Sequence, residues 1–182
     1  MRVSARIPVL AALVAAALVA IASCARDNPT TTSTTSTGIQ TNLNATGSTL
    51  PDVTMQTTSG ESVSTTSFRG RPLLVNFWYS TCEPCRREMP ALAEAYAEFG
   101  DRVEFIGVNM SDPAVVAQNF ADRYGVTFPI LLDDGSALTL GLGITIAPTT
   151  LFVDANGVIV DQVSGELTAD AIADHLTVLV AS

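Results

Sequence analysis

The chain has 182 residues, a length that fits one folded domain with accessory segments. Its formal net charge is −9, from 18 acidic residues against 9 arginines and no lysine. An acidic surface repels phosphate backbones, so nucleic acid is excluded as an expected partner. Only one histidine, His175, and three cysteines are present, which disfavours a Cys–His dyad and a metal site built from several histidines.

The start of the chain has the pattern of an export signal. Arg2 and Arg6 give it a positive charge, and 13 apolar residues follow from Val9 to Ile21. That run is shorter than the ~20 residues of a membrane-spanning helix, but it fits the apolar part of a secretory signal. The residues that end at Cys24 resemble the lipobox of bacterial lipoproteins. The resemblance implies that residues 1–23 are removed and that Cys24 is lipidated; an ordinary signal peptide is the alternative.

Residues 24–49 are predicted to be a disordered tether. Thr30–Thr37 contains only threonine and serine, and the whole segment offers too little apolar surface to offset the entropy of ordering. A flexible coil of about 25 residues spans roughly 25–30 Å on average. We therefore expect the folded domain, residues 50–182, to be a monomer held by lipid close to the extracytoplasmic face of the cell membrane.

From Leu50 onward, short apolar runs with strand character alternate with segments that have apolar residues at helical spacing. Ser59-Gly60 and Asn156-Gly157 each predict a hairpin turn, and Asn-Gly is the stronger signal. Ser111 and Asp112 are expected to cap the second helix. Strands are predicted at about 53–57, 63–66, 73–77, 103–108, 128–131, 149–153 and 158–163. Helices are predicted at about 84–99, 113–124, 136–140 and after Thr168. This order predicts a mixed α/β sheet with helices on both faces.

Cys82 and Cys85 form a Cys-x-x-Cys pair where the strand at 73–77 gives way to a helix. Free N–H groups and the helix dipole favour a negative charge on the first sulfur, and such positions lower a thiol pKa from ~8.5 to between ~3.5 and ~7.5. Cys82 is therefore predicted to be the nucleophile and Cys85 the resolving thiol. Half a zinc site, which would lack a second pair of ligands, and an inert structural disulfide are the alternatives.

Two motifs resemble the thioredoxin superfamily, and within it the membrane-tethered branch that includes the TlpA and ResA proteins. The first motif is VNFWYSTCEPCRREMP at 75–90, and the second is IAPTTLFVD at 146–154, followed by Asn156-Gly157. The similarity covers about residues 50–180. It implies a thioredoxin-like fold with a central mixed β-sheet flanked by helices, an N-terminal hairpin, and the helix at 113–124 as a central insertion.

The resemblance also implies roles for residues around the dithiol. Pro148 matches a cis-proline that faces the dithiol and helps present the substrate backbone; an ordinary trans proline is the alternative. Glu88 matches an acidic residue that tunes the ionisation of the dithiol; a solvent-facing charge is the alternative. The residues implied to contact a substrate are Trp78, Pro84, Ala147 and Thr149. For Trp78 the alternative is core packing.

Two residues depart from the pattern of relatives. Asn76 stands where common thioredoxins have a buried aspartate that moves protons, and Asn cannot titrate, so that role is vacant unless Glu88 fills it. Thr81 stands where many relatives have tryptophan before the first cysteine, which predicts a smaller and more polar surface around the nucleophile. Arg86 and Arg87 either favour the thiolate by their charge or are exposed helix charges of small effect.

The resemblance implies a thiol–disulfide oxidoreductase whose only redox group is the Cys82–Cys85 disulfide, with no other cofactor and no metal. We expect a reductant of exported proteins, with apo-cytochrome c as a candidate substrate and a membrane thiol–disulfide transporter as electron donor. An oxidant that installs disulfides is the first rival. A peroxiredoxin-type peroxidase is disfavoured because Val75 and Tyr79 occupy the positions of its Pro and Thr or Ser. A copper-carrying module is disfavoured by the narrow cysteine spacing and the position of His175, and a non-catalytic binding domain would leave both cysteines unexplained.

Overall fold

A computed structural model describes residues 41–181 of the chain. The predicted signal at 1–23, the lipidated Cys24 and the first part of the tether, up to residue 40, lie outside the described residues. Within residues 41–181, no helix combines the length and the hydropathy that crossing a membrane requires.

Residues 41–181 form seven strands and four α-helices. The strands are β1 Thr54–Thr57, β2 Ser62–Ser64, β3 Leu73–Trp78, β4 Glu104–Asn109, β5 Ile130–Leu132, β6 Thr149–Val153 and β7 Ile159–Ser164. The helices are α1 Glu83–Phe99, α2 Ala114–Arg123, α3 Ala137–Leu142 and α4 Ala169–Val180. A short 3-10 helix at Thr65–Phe68, which the sequence pattern did not predict, joins β2 to β3.

The seven strands form one mixed sheet in the order β2-β1-β5-β4-β3-β6-β7. Strand β4 pairs in parallel with both β3 and β5, whereas every other pairing is antiparallel. The predicted mixed sheet and both hairpins are confirmed. The first hairpin joins the sheet through β1, which pairs with β5, and helix α2 connects β4 to β5 as the predicted insertion.

Strand β3 lies in the middle of the fold, and all six of its residues are buried. Leu74 and Trp78 face the core formed with α1, α2 and α4, while Val75 and Phe77 face the core covered by α3. Because successive side chains of a strand point to opposite faces, a strand covered on both sides needs apolar residues almost throughout. Asn76 is the exception, and the alternation places it on the same face as α1.

The folded domain begins before the predicted boundary at Leu50. The Asn42 side chain accepts hydrogen bonds from the backbone N–H groups of Thr145 (2.7 Å) and Ile146 (2.9 Å) and donates to Thr149 Oγ1 (2.6 Å). Ala45 is buried as well. The prediction of a disordered tether is therefore wrong for residues 42–49, because polar side chains hold this segment through hydrogen bonds, which an argument from low hydrophobicity does not register.

Candidate active site at the Cys82–Cys85 disulfide

Cys82 and Cys85 are joined by a disulfide, with 2.05 Å between the sulfurs, at the start of helix α1. Cys82 is the residue that precedes the helix, and its Sγ accepts a hydrogen bond from the Cys85 N–H at 3.2 Å. Cys82 is 4% exposed and Cys85 is 0% exposed. An incoming sulfur can therefore reach Cys82 more readily, which fits the predicted roles of nucleophile for Cys82 and resolving thiol for Cys85.

Hydrogen bonds to the Asp112 carboxylate hold the loop before the disulfide. Ser80 donates to this carboxylate twice, from its N–H at 2.6 Å and from its hydroxyl at 2.7 Å. The Asn109 amide also donates to Asp112, at 2.8 Å, and Arg86 Nε donates to the Ser80 carbonyl at 2.9 Å. The turns that follow the neighbouring strands β3 and β4 are thus tied together, which restricts the positions open to Cys82.

Asp112 is a site residue that the sequence interpretation missed. It was expected to cap α2, but Pro113 occupies the cap position, without a side-chain hydrogen bond, and Asp112 turns toward Ser80 instead. The available signal was the polar pair Asn109 and Asp112 directly after a buried strand. Adjacent parallel strands end at the same edge of a sheet, so polar residues that follow them are candidates for one site.

The substitution Asp112→Ala should lower the free energy of unfolding by about 2 kcal/mol. The part-buried N–H and hydroxyl groups of Ser80 would lose the charged carboxylate that accepts their hydrogen bonds. Urea denaturation of the oxidised protein measures this effect. Asp134→Ala, which removes an exposed carboxylate, is the matched control. Equal unfolding free energies for the two variants would show that the loop does not depend on Asp112.

The Ala147–Pro148 peptide bond is cis, as the resemblance implies. Strand β6 begins directly after Pro148 and pairs with β3 so that Thr149 lies opposite Phe77. If the same register continues by one residue, Pro148 lies beside Trp78. Trp78 is the last residue of β3, and the loop that carries Cys82 follows it. Pro148 is buried in the oxidised structure, so its predicted role in presenting a substrate backbone stays a prediction.

Glu88 is buried one helical turn beyond Cys85, with 1% of its surface exposed. Its Oε1 lies 3.5 Å from Thr150 Oγ1, which in turn accepts a hydrogen bond from the Asn76 amide at 3.0 Å. Within residues 41–181, Glu88 Oε2 and Asn76 Oδ1 have no hydrogen-bond partner. The interpretation of Glu88 as a solvent-facing charge is therefore excluded.

Burial raises the pKa of Glu88 to about 7. The nearby backbone of Leu167 and the side chains of Thr150 and Asn76 lower the pKa of Glu88, because polar groups close to a carboxylate favour its charged form. The loss of hydration outweighs them. At neutral pH this carboxyl group is divided between its two protonation states, which suits a group that accepts and returns a proton.

The predicted substrate contacts fall into two groups. Pro84 and Ala147 are partly exposed, whereas Trp78 and Thr149 are both 0% exposed. Trp78 stacks on Phe120 of α2, with 4.5 Å between the ring centroids. The prediction of substrate contact is therefore wrong for Trp78 and Thr149, which pack inside the domain and offer no surface to a partner.

The two arginines after Cys85 are engaged by acidic residues. Arg87 donates two hydrogen bonds to Glu166 Oε2, at 2.9 Å and 2.5 Å, and Arg86 lies 3.3 Å from a Glu83 carboxylate oxygen. These pairs reduce the net positive charge near the sulfurs. His175 stacks on Phe152, and its Nδ1 lies 2.9 Å from an Asp161 carboxylate oxygen.

The chain is similar to known thiol–disulfide oxidoreductases. The profile of the Redoxin family matches residues 45–179. Thiol-disulfide oxidoreductase ResA of Geobacillus thermodenitrificans is 36% identical over 133 residues, which cover 72% of this chain and 76% of that protein. Thiol-disulfide oxidoreductase ResA of Bacillus subtilis is 31% identical over 134 residues, covering 73% and 75% of the two chains.

Solved structures share the fold. The structure of MTB dsbF in its mixed oxidized and reduced forms superposes with a TM-score of 0.67 at 29% identity, covering 72% of this chain and 99% of that one. StoA from Bacillus subtilis superposes with a TM-score of 0.60 at 28% identity, covering 69% and 96%. The family match over residues 45–179, together with these similarities, shows that the chain belongs to the redoxin family and is a thiol–disulfide oxidoreductase with a thioredoxin-like fold.

Proposed function

We propose that this oxidoreductase reduces disulfides in exported proteins. The observation that carries the proposal is the buried Glu88 carboxyl group, one helical turn beyond Cys85, whose pKa is raised to about 7. A carboxylate near a sulfur opposes formation of the thiolate and so raises the pKa of the thiol. A dithiol with a less stabilised thiolate is a better electron donor than the dithiol of a strong oxidant.

The reaction proceeds through two exchanges. The Cys82 thiolate attacks one sulfur of a substrate disulfide, which forms a mixed disulfide and releases the other substrate sulfur as a thiol after protonation. Cys85, once deprotonated, attacks Cys82 Sγ, which releases the second substrate thiol and closes the Cys82–Cys85 disulfide. Two electrons pass from the dithiol to the substrate, and the protein ends in the oxidised form seen here.

Glu88 accepts the proton that Cys85 must lose before the second exchange. It follows Cys85 by three positions, so the two side chains lie about one turn apart on the same face of α1. Asn76, on the facing strand, cannot titrate and instead donates to Thr150, the hydroxyl neighbour of Glu88. Because Asn76 cannot accept a proton, the Glu88 carboxyl group on helix α1 takes the role of proton acceptor.

Return to the reduced form requires a two-electron donor, for which we propose a membrane thiol–disulfide transporter.

The resemblance to the TlpA and ResA branch supports the cysteine pairs of apo-cytochrome c as the substrate class. The partly exposed Pro84, in helix α1, and Ala147, in the loop before β6, are the proposed contacts for the backbone of such a substrate.

The test of this function is reduction of a disulfide-bonded peptide with a Cys-x-x-Cys-His sequence by the reduced protein. We expect one peptide disulfide to be opened per Cys82–Cys85 dithiol, as measured by mass spectrometry after alkylation. If the oxidised protein instead closes disulfides in the reduced peptide, and the reduced protein leaves the disulfide peptide intact, the oxidant rival is favoured.

We further propose that lipid on Cys24 anchors the protein at the extracytoplasmic face of the cell membrane. Each buried methylene of an acyl chain contributes about 0.8 kcal/mol, so two chains give stable attachment where one is marginal. Cys24→Ala should move most of the protein from the membrane fraction to the soluble exported fraction. Cys85→Ser, which also removes one cysteine, is the control and should stay with the membrane. A Cys24→Ala variant that partitions like the parent would contradict the anchor.

A further inference from the structure

A pocket of about 250 Å³ is lined in part by residues that flank the two cysteines in the chain. We name it the arginine pocket, and its lining residues used here are Ser80, Arg86, Asn119, Phe120, Arg123 and Tyr124. Ser80 lies two residues before Cys82, and Arg86 directly follows Cys85, so two residues of the pocket wall are chain neighbours of the reacting cysteines. Pockets for drug-sized ligands measure ~300–1,000 Å³, so this one has room for one or two side chains rather than a cofactor.

The charge of the arginine pocket opposes that of the chain. Acidic residues outnumber arginines 18 to 9 overall, yet the described residues that line the pocket include two arginines and no acidic residue. Arg123 is exposed, and in the part of the chain that the structure describes it forms no ion pair. The helix dipole favours a cation in the last turn of α2, which accounts for the charge of Arg123 but not for its sharing a pocket with Arg86.

The second cation is held in a fixed direction. Arg86 Nε donates to the Ser80 carbonyl at 2.9 Å, which orients the guanidinium group at the rim of the pocket. Its contact with Glu83, at 3.3 Å, joins two side chains that are 42% and 67% exposed. Such exposed pairs contribute little, so an incoming carboxylate can compete for Arg86.

The inner wall of the pocket is aromatic. Phe120 packs between Trp78, at 4.5 Å, and Tyr124, at 4.6 Å between ring centroids. A side chain with a short apolar stem and a terminal carboxylate matches this wall and the guanidinium groups at its rim. Arginine is suited to such a ligand because its planar fork can donate two parallel hydrogen bonds to one carboxylate.

We propose that the arginine pocket binds a glutamate or aspartate side chain of the protein substrate, close to the cysteine that Cys82 attacks. This inference rests on the proposed function, since the occupant belongs to a disulfide substrate in the act of exchange. Ser80 lines the pocket and precedes Cys82 by two residues. Two residues of extended chain span at most about 7 Å, so the Ser80 side of the pocket lies within about that distance of the Cys82 backbone. The acidic residue therefore lies within two or three positions of the substrate cysteine.

The test compares two disulfide peptides that differ only in glutamate or glutamine two residues from the cysteine. The purified full chain, in reduced form, should reduce the glutamate peptide about fivefold faster than the glutamine peptide, because a complementary charge near the encounter site speeds association. In Arg123→Gln this rate ratio should fall to about twofold or less. Arg69→Gln removes the same charge from the loop before β3, at the opposite end of that strand, and should keep the ratio of the parent.

The proposed binding of an acidic side chain would be overturned if the parent reduced the two peptides at equal rates. It would also be overturned if the rate ratio fell equally in Arg123→Gln and Arg69→Gln. Failure of the parent to reduce either peptide would count against the proposed function instead. In that case, peptides with serine in place of cysteine still test whether the arginine pocket binds a carboxylate. Their affinities for the oxidised full chain should show the same preference for glutamate and the same loss of preference in Arg123→Gln.

Discussion

Replacing Cys85 with serine is expected to turn the protein from a reductant into a trap for its substrates. Cys82, the more exposed of the two cysteines, can still attack a substrate disulfide, but no second thiol remains to resolve the mixed disulfide. Cys82→Ser leaves only Cys85, which is 0% exposed in the oxidised structure. We therefore expect at least about tenfold more covalent adduct with Cys85→Ser than with Cys82→Ser, because attack requires an accessible thiolate.

The adducts are measured on non-reducing gels and by mass spectrometry of the exported fraction. A variant with both cysteines replaced by serine is the control for adducts that do not involve the site. Equal trapping by Cys82→Ser and Cys85→Ser would contradict the assignment of Cys82 as the nucleophile.

Glu88→Gln should remove a large pH dependence of stability. Burial raises the pKa of Glu88 from its ordinary 4.5 to about 7, so between these pH values the folded protein binds a proton that the unfolded chain has released. The stability that this proton provides is present below about pH 4.5 and is lost as the pH rises through about 7. The glutamine side chain of the variant does not titrate, so by pH 8 the variant should have gained up to about 3 kcal/mol relative to the parent.

Urea denaturation of the oxidised proteins at pH 4.5 and at pH 8 measures this difference. Glu94→Gln is the matched control, since Glu94 lies on the same helix with an exposed side chain. If Glu88→Gln and Glu94→Gln change the pH dependence equally, Glu88 is not a buried titrating group.

The same substitution should change the chemistry of the dithiol. Without the carboxylate at residue 88, the apparent pKa of the reduced pair should fall, because a negative charge that opposed the thiolate is gone. Exchange with a substrate should slow by at least about tenfold, because the group that moves the proton of Cys85 is missing. The two sulfurs titrate as a coupled pair, so the alkylation rate as a function of pH reports a macroscopic value. Superimposable profiles for parent and Glu88→Gln would remove Glu88 from the mechanism.

Much of the fold was predictable from local pattern. Strand β3 reads as an apolar run because both of its faces are covered, and Asn156-Gly157 marks the turn between β6 and β7. The spacing of Cys82 and Cys85 before a helix predicted the dithiol without any knowledge of the rest of the chain. The cis-proline at residue 148 followed only from family resemblance, since the local residues permit either isomer.

The parts that were not predictable depend on contacts between distant segments. Asn42 lies 104 positions from Ile146, and nothing in a Thr-rich segment indicates that one amide side chain will hold it to the domain. Asp112 reaches Ser80 across 32 positions, and its local context fitted a helix cap equally well. Trp78 was expected at the surface of the site, but the ring of Phe120, brought in by the inserted helix α2, covers it.

The reduction potential of the Cys82–Cys85 pair tests the proposed reductant most directly. The full chain is equilibrated with dithiothreitol or glutathione buffers of defined potential, and the oxidised fraction is measured by alkylation of the free thiols. Thioredoxin-fold proteins span about −270 mV for reductants to about −120 mV for strong oxidants. We predict a potential below about −220 mV for this protein, so that its dithiol donates electrons to most substrate disulfides. A potential near about −120 mV would contradict the account and identify the protein as a disulfide-forming oxidant.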